Sequence, residues 1–314
     1  MARDGRVIHG LDCLSKSARH CVLTIGNFDG VHLGHRRILQ TVRALADAEK
    51  APAVAMTFEP PPDLVLRPQD APKRLTPPDV KARLLLEAGA DFVVQEKTEP
   101  MLLAMAPEEF IDQIVVRRLE PRHVVEGPNF YFGLARSGNI RVLSEAGASR
   151  GFFVHVVDSA LAELPEGPRR ISSTLIRQLV ADGRIEDANR CLGRPFAIYG
   201  RVVPGQGHGR ILQFPTANID PGEQVVPADG VYAGKAEVKG RQHPAAVSVG
   251  TKPTLGPAPR TVEAFLIDAA GDLYDQAMTL SFLQRLRGQE RFGGIDSLRE
   301  QIAKDVERVR EICR

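Results

Sequence analysis

A short apolar run at residues 22–25 is followed by a stretch holding Gly26, Gly30 and Gly34, after which Ile38, Leu39, Val42 and Leu45 recur at helical spacing. This pattern reads as strand, glycine-rich turn and helix. A second apolar run at 53–58 closes on Glu59-Pro60-Pro61-Pro62, where proline can neither donate to a strand ladder nor continue a helix. The prolines and polar cap of residues 74–81, with Leu84, Leu85 and Leu86 behind them, predict a helix, and residues 91–94 a short strand. Pro107-Glu108-Glu109-Phe110 opens another helix with proline and acids in its first turn, its buried face being Phe110, Ile111, Ile114, Val115 and Leu119. Strands at 123–125 and 152–157 continue the alternation, which predicts a parallel sheet covered on both faces. In such sheets ligands sit beyond the carboxyl ends of the strands, where residues 26–34, 60–62 and 127–133 all fall.

The pattern changes after Pro195. Two short helices, one carrying Arg177 and ending by Gly183 and one over 185–192 closed by Gly193, lead to it. Beyond it, runs at 197–203, 230–238, 244–249, 261–267 and 278–283 alternate between turns, which favours a small antiparallel barrel. Leu298, Ile302, Val306, Val309 and Ile312 then form one stripe of a helix packed on that barrel. A domain boundary near Gly193 follows, with residues 1–193 and 194–314 as the two parts.

Composition adds exclusions. A chain of 314 residues has the length of about two domains, each able to bury a core. Lysine and arginine total 41 against 39 acids, a formal charge of +2, so no basic footprint for nucleic acid is present. Cys13, Cys21, Cys191 and Cys313 are scattered, without zinc spacing or a disulfide framework, which fits reduced thiols. No apolar run approaches the roughly 18 residues of a membrane span, and no signal-peptide core precedes His20. The expectation is a soluble cytoplasmic protein with no nucleic-acid or membrane partner; homo-oligomerisation is left open.

The candidate chemistry starts at the first turn. Glycines let the backbone approach a ligand closely, and the helix start offers unpaired N–H groups and a positive dipole end to an anion. His32 and His35, three apart, can face one side of that helix start and donate to phosphate oxygens. After the strand at 123–125, Asn129-Phe130-Tyr131-Phe132-Gly133 sets an amide among aromatics, which suits a flat heterocycle, although Phe130 and Phe132 read equally as core. Ser172, Ser173 and Thr174 are successive hydroxyls at a helix start, where simple capping is the competing reading, and Arg177 one turn on can point back at phosphates bound over that start. In the second half, Gly205, Gly207 and Gly209 with Arg210 can wrap a polyphosphate or form an ordinary glycine-rich turn. In Phe214-Pro215-Thr216-Ala217-Asn218, Thr216 and Asn218 face one side of an extended segment and offer the oxygen ligands Mg²⁺ takes alongside phosphates and water.

These segments carry a resemblance. Gly26-Asn27-Phe28-Asp29-Gly30-Val31-His32-Leu33-Gly34-His35 resembles the His-x-Gly-His signature of the nucleotidylyltransferases, in the form found in the bacterial bifunctional riboflavin kinase/FMN adenylyltransferase family, also called FAD synthetases. The Asn129–Gly133 loop, the Ile171-Ser172-Ser173-Thr174-Leu175-Ile176-Arg177 segment, the junction at Cys191–Gly200, Pro215-Thr216-Ala217-Asn218, Gly230-Val231-Tyr232-Ala233, Val249-Gly250-Thr251-Lys252-Pro253-Thr254 and Thr261-Val262-Glu263-Ala264-Phe265 follow in family order. The likeness spans residues 22–305.

It implies an α/β nucleotidylyltransferase domain with a Rossmann-like parallel sheet at 1–193, followed by a small antiparallel β-barrel riboflavin kinase domain with a C-terminal helix at 194–314. It also implies Mg²⁺-dependent use of ATP to turn riboflavin into FMN and FMN into FAD. His32 and His35 would stabilise charge on the α-phosphate and leaving pyrophosphate, and Ser172, Thr174 and Arg177 would clamp the outer phosphates. Gly26, Asn27, Phe28, Asp29 and Gly34 would bind ATP in the first domain, as Gly205, Gly209 and Arg210 would in the second. Pro60, Pro62, Asn129 and Phe132 would bind flavin, Thr216 and Asn218 would hold the metal, and Glu263 would be the base acting on the riboflavin 5′-hydroxyl. A carboxylate in so apolar a strand asks for a reason, edge exposure being the alternative.

The chain departs from the family pattern at Pro61, where histidine is usual, at Gln213 and Asp275, where glycine is common, and at Gln289, where glutamate is frequent. Pro61 and Gln213 keep open an enzyme with one working module; a flavin-binding regulator that catalyses neither step is the alternative from another class, and retention of His32, His35, Arg177 and Glu263 argues against it.

Overall fold

The computed structural model describes residues 6–204, 216–251, 260–269 and 273–314. Gly205, Gly209, Arg210 and Gln213 lie outside the described residues. The described residues fall into two compact units, Met1–Pro72 with Pro78–Ile171, and Lys73–Pro77 with Ser172–Arg314. This packing division precedes Gly193 by two short helices.

The first unit is built on strands β1 (Arg6–His9), β2 (Val22–Ile25), β3 (Ala53–Glu59), β4 (Phe92–Lys97), β5 (His123–Glu126) and β8 (Phe153–Val156). Two-residue strands β6 (Tyr131–Phe132) and β7 (Gly138–Asn139) form a small ribbon between β5 and β8. The main sheet has the order β1-β4-β3-β2-β5-β8 and is parallel throughout. Val22 to Ile25 are all buried, as a central parallel strand requires. Alternate residues go to opposite faces: Val22 packs with Val42 and Ala46 of helix α1 (Leu33–Glu49), whereas Leu23 and Ile25 pack with Ile111, Val115 and Leu143. Both faces are thus covered, as expected. The helix from Pro107 to Phe110 continues through Ile111–Leu119 with π-type hydrogen bonding. A hairpin of β9 (Leu161–Leu164) and β10 (Gly167–Arg170) follows the sheet.

In the second unit, β11 (Phe196–Val203), β12 (Ala217–Ile219), β13 (Gly230–Val238), β14 (Arg241–Gly250), β15 (Thr261–Leu266) and β16 (Ala277–Arg287) close into a barrel in the order β11-β12-β15-β14-β13-β16, every pair antiparallel. The helix Ile185–Leu192 is tied to it through Asn189, whose amide donates to the Phe282 carbonyl (3.0 Å) and whose side-chain oxygen accepts from the Phe196 N–H (2.6 Å). The C-terminal helix Ile295–Ile312 packs Val306 and Val309 against Ala233 and Ile267. Buried Asp305 takes a forked pair of bonds from Arg287 of β16, 2.8 Å at the shortest. All four cysteines are free thiols. Among the described residues no helix is long and apolar enough to cross a membrane.

Candidate active sites

In the first unit the chain leaves β2 into a turn that is locally strained. Phe28 (φ 49°) and Val31 (φ 37°) occupy the left-handed region, which a β-branched residue enters only when its surroundings hold it there. The Phe28 ring is buried and meets His35 edge-on at 5.3 Å between centroids. A Cβ on Gly26 would lie 3.2 Å from that ring, so the inward turn of Phe28 is what favours glycine at 26. The turn is held on the β3 side by the Gly26 N–H to the Met56 carbonyl (3.0 Å) and by the Thr57 hydroxyl to the Asn27 carbonyl (3.3 Å). Asn27 itself is exposed and Asp29 half-buried.

His32 and His35 come together as expected, but by stacking: their rings lie 3.6 Å apart and 17° from parallel. His32, 5% exposed, is the N-cap of α1, its Nδ1 accepting from the His35 N–H at 3.3 Å. With Nδ1 accepting, the neutral ring carries its proton on Nε2, the tautomer able to donate to an oxyanion. A Cβ on Gly34 would meet the His32 ring at 3.1 Å, which gives the glycine of this motif its physical reason.

Beside this turn an apolar cavity of about 600 Å³ is lined by Ile25, Gly26 and Asn27 at one part of its wall and by Phe58, Pro62, Phe110 and the 129–136 segment elsewhere. Asn129 and Phe132 are both on the wall; Pro60 is not among the lining residues. Phe132 is buried against Phe130 (5.3 Å) and Phe110 (5.6 Å), so the two readings of this aromatic loop, core and cavity wall, hold together. Pro61, at the departure from the family pattern, is the N-cap of the short helix Pro62–Leu66, and the Pro60 carbonyl accepts from the Thr98 hydroxyl.

Glu126 lies directly after the strand expected at 123–125 and was not singled out from the sequence. It is the last residue of β5, 3% exposed, and its Oε1 accepts from the Ile25 N–H (2.6 Å) and the Thr24 hydroxyl (3.3 Å). Burial pushes its carboxyl well above the usual carboxylate range, the two hydrogen bonds acting the other way. The signal available in the sequence was an acid directly after an apolar strand.

In the second unit, Ser172 caps the helix Ser173–Ala181, its hydroxyl accepting from the Leu175 N–H at 3.1 Å, so the capping reading is realised. Thr174 is exposed, and Arg177 donates from Nε to the Lys73 carbonyl at 2.8 Å.

The barrel assembles its own constellation. Glu263 on β15 is 5% exposed and faces Asn218 across the β12 register and Ser248 across the β14 register. It is interior to the sheet, which removes the edge-exposure alternative. Its Oε2 accepts from the Thr216 hydroxyl and its Oε1 from the Thr261 hydroxyl, each at 3.2 Å. Thr216, Asn218 and Glu263 therefore form one oxygen-rich cluster, brought together by β12. Gln289 donates to the Val249 carbonyl (3.0 Å) at the end of β14. Asp275 has φ 59°, a backbone conformation glycine adopts freely and aspartate tolerates, which accounts for glycine being common there.

Comparisons with known proteins agree with this two-part arrangement. The FAD synthetase family model matches residues 14–175 and the riboflavin kinase family model residues 192–313. A bifunctional riboflavin kinase/FMN adenylyltransferase of Escherichia coli K12 is 38% identical over 310 residues, covering 98% of this chain and 97% of its own. Proteins of the same description from Pseudomonas fluorescens and Bacillus subtilis are 37% identical (98% of each chain covered) and 32% identical (95% of this chain, 94% of the relative). A crystal structure from Streptococcus pneumoniae, described as a macrolide-efflux protein, superposes with a TM-score of 0.85 at 27% identity, covering 98% of this chain and 99% of that one. With both family models matched in order and near-complete coverage at these identities, the chain belongs to the bifunctional riboflavin kinase/FMN adenylyltransferase family.

Proposed function

We propose that this protein phosphorylates riboflavin to FMN and then adenylylates FMN to FAD, using ATP in both steps. The observation that carries the reading is two separately built sites in one chain: the His32–His35 stack at a helix start beside an aromatic-walled cavity, and buried Glu263 between Thr216 and Asn218. Residues 1–193 are assigned the adenylyltransferase and 194–314 the kinase.

In adenylylation a phosphate oxygen of FMN attacks the α-phosphorus of ATP in line, a new P–O–P bond forms, and the bond to pyrophosphate breaks with its electron pair leaving on pyrophosphate. No side-chain nucleophile is required. His32 and His35 donate to the oxyanions, the turn of Gly26, Asn27, Phe28, Asp29 and Gly34 offers backbone to the phosphates, and the cavity wall of Pro62, Asn129 and Phe132 takes the isoalloxazine, with Pro60 shaping the loop behind it. Ser172, Thr174 and Arg177 are assigned to phosphate oxygens on the strength of their motif. In the kinase step Glu263 accepts the proton of the riboflavin 5′-hydroxyl as that oxygen bonds the γ-phosphorus and ADP leaves.

The hydroxyl and amide oxygens of Thr216 and Asn218 suit a hard cation that completes its shell with phosphates and water, so these residues are assigned to Mg²⁺. When bound, Mg²⁺ neutralises charge on the transferred phosphoryl group. The cytoplasm, where ATP and reduced thiols are found, is the compartment this reading implies.

Paired variants test it. Glu263→Ala is expected to lose the kinase step by about 10²-fold or more and leave FAD formation from FMN intact, while His32→Ala with His35→Ala does the reverse. Loss of both activities in either folded variant would overturn the assignment of two independent sites.

A further inference from the structure

The main sheet opens where the first site begins. Alternate amides of a strand point to opposite neighbours. Those of Val22 and Gly26 donate toward β3, to the carbonyls of Pro52 (2.9 Å) and Met56 (3.0 Å), so the Ile25 N–H between them points toward β5. On that side the ladder has already stopped: β2 pairs with β5 only through Val22↔His123 and Leu23↔Val124, whereas its register with β3 runs on to Ile25↔Met56. The main-chain acceptor that a continued ladder would supply is replaced by a side chain, Glu126, whose Oε1 takes the Ile25 N–H at 2.6 Å and the Thr24 hydroxyl at 3.3 Å. The seam between β2 and β5 is also where the strand order reverses, β2 being followed outward by β3 and β4 on one side and by β5 and β8 on the other. Open α/β sheets bind ligands at such a point.

We propose that Glu126 is a positioning residue for adenylyl transfer: its carboxyl holds the Ile25 amide across the opened seam and so aims the Gly26–Gly30 turn and the histidine pair that follows it. The inference rests on the adenylylation reading above. Three features make the carboxyl suited to the task. It reaches Ile25, the residue directly before the turn, from a neighbouring strand. It satisfies a buried N–H that would otherwise be left unpaired, which polar groups in a core rarely are. Its burial favours the neutral acid, so it braces the turn without setting a negative charge beneath a polyphosphate. Glu126 takes no part in bond making: the FMN phosphate attacks and pyrophosphate leaves without a proton passing through it.

Two substitutions separate geometry from charge. Glu126→Gln keeps an acceptor oxygen in the same place; Glu126→Val fills the site with an apolar side chain and leaves the Ile25 N–H unanswered. With FMN, ATP and Mg²⁺, Gln is expected to keep kcat and both KM values within about threefold of wild type. Val is expected to lower kcat for FAD formation by roughly 10- to 100-fold, since misplacement of about 1 Å costs on that scale, while the KM for FMN and the rate of riboflavin phosphorylation stay unchanged. Folding of each variant is followed by near-UV circular dichroism, and Glu126→Ser, also too short to reach Ile25, takes the place of Val should Val fail to fold. A folded Val or Ser variant as fast as wild type overturns the inference, as does a Gln variant as slow as Val. A wild type unable to make FAD from FMN overturns the adenylylation reading and this inference with it.

Discussion

Gly34→Ala tests whether the histidine stack is what the first site is built for. Residue 34 is the second of α1 and lies between the two histidines. An alanine there gains roughly 0.5–1 kcal/mol of helix propensity over glycine. Against this, the added Cβ falls 3.1 Å from both Cε1 and Nδ1 of the His32 ring, closer than ordinary contact, so the ring has to move by a few tenths of an ångström. His32 Nδ1 already accepts the His35 N–H at a long 3.3 Å, and the same movement breaks that cap, worth about 1 kcal/mol. Gain and loss nearly cancel, so thermal stability should barely change. Activity should change: if misplacement by about 1 Å costs ~10²-fold, a shift of a few tenths costs roughly 3- to 10-fold in kcat for FAD formation. The assay is steady-state FAD formation from FMN and ATP, with riboflavin phosphorylation measured on the same sample as a control. A variant that makes FAD at the wild-type rate, or one whose kinase step falls equally, would mean that the ring stack does not set the rate of adenylyl transfer.

Further expectations follow from packing and charge. Asp305→Ala leaves Arg287, 15% exposed, without its carboxylate, and should lower the stability of the barrel unit by about 3–5 kcal/mol in denaturant unfolding; a change under about 1 kcal/mol would contradict the buried pair's role. Phe132→Ala removes a ring shared by core and cavity wall, so it should cost about 3–5 kcal/mol and raise the KM for FMN, and a loss of stability with no effect on that KM would make the residue core alone. Glu126 holds its proton more tightly folded than unfolded, so its favourable contribution is full below the ordinary value of 4.5 and fades as pH rises from there toward the raised folded value. Glu126→Gln lacks this decline; its unfolding free energy relative to wild type should therefore grow as pH rises above 4.5, and a difference independent of pH would be contrary to the burial of the acid.

The strands and helices around both sites were largely legible in the chain, for identifiable reasons. Val22–Ile25 and Ala53–Glu59 are apolar runs bounded by glycine or proline, and Ile185–Leu192 ends on Gly193, so period and punctuation agreed. Strand β12 was not legible as a barrel strand, because three residues carry no periodicity and only pairing with β11 and β15 defines them. That pairing sets Asn218 opposite Glu263, two residues to which the resemblance gives different roles in the kinase domain. The left-handed backbone of Phe28 and Val31 was hidden for the opposite reason: side chains that disfavour this conformation give no local sign of it, and at Phe28 it accompanies a buried ring set edge-on to His35. Glu126 was missed because its task lies 101 residues away in the chain, at Ile25. Whether an acid after a strand ends a ladder or bridges one is decided by the divergence of β2 and β5, which no local pattern records.

Whether one chain carries both steps is decided by a time course of purified protein with riboflavin, ATP and Mg²⁺, the flavins being resolved by chromatography. FMN is expected first and FAD after it, each at the expense of its precursor. No FMN from riboflavin, and no FAD when FMN is supplied in its place, would contradict it.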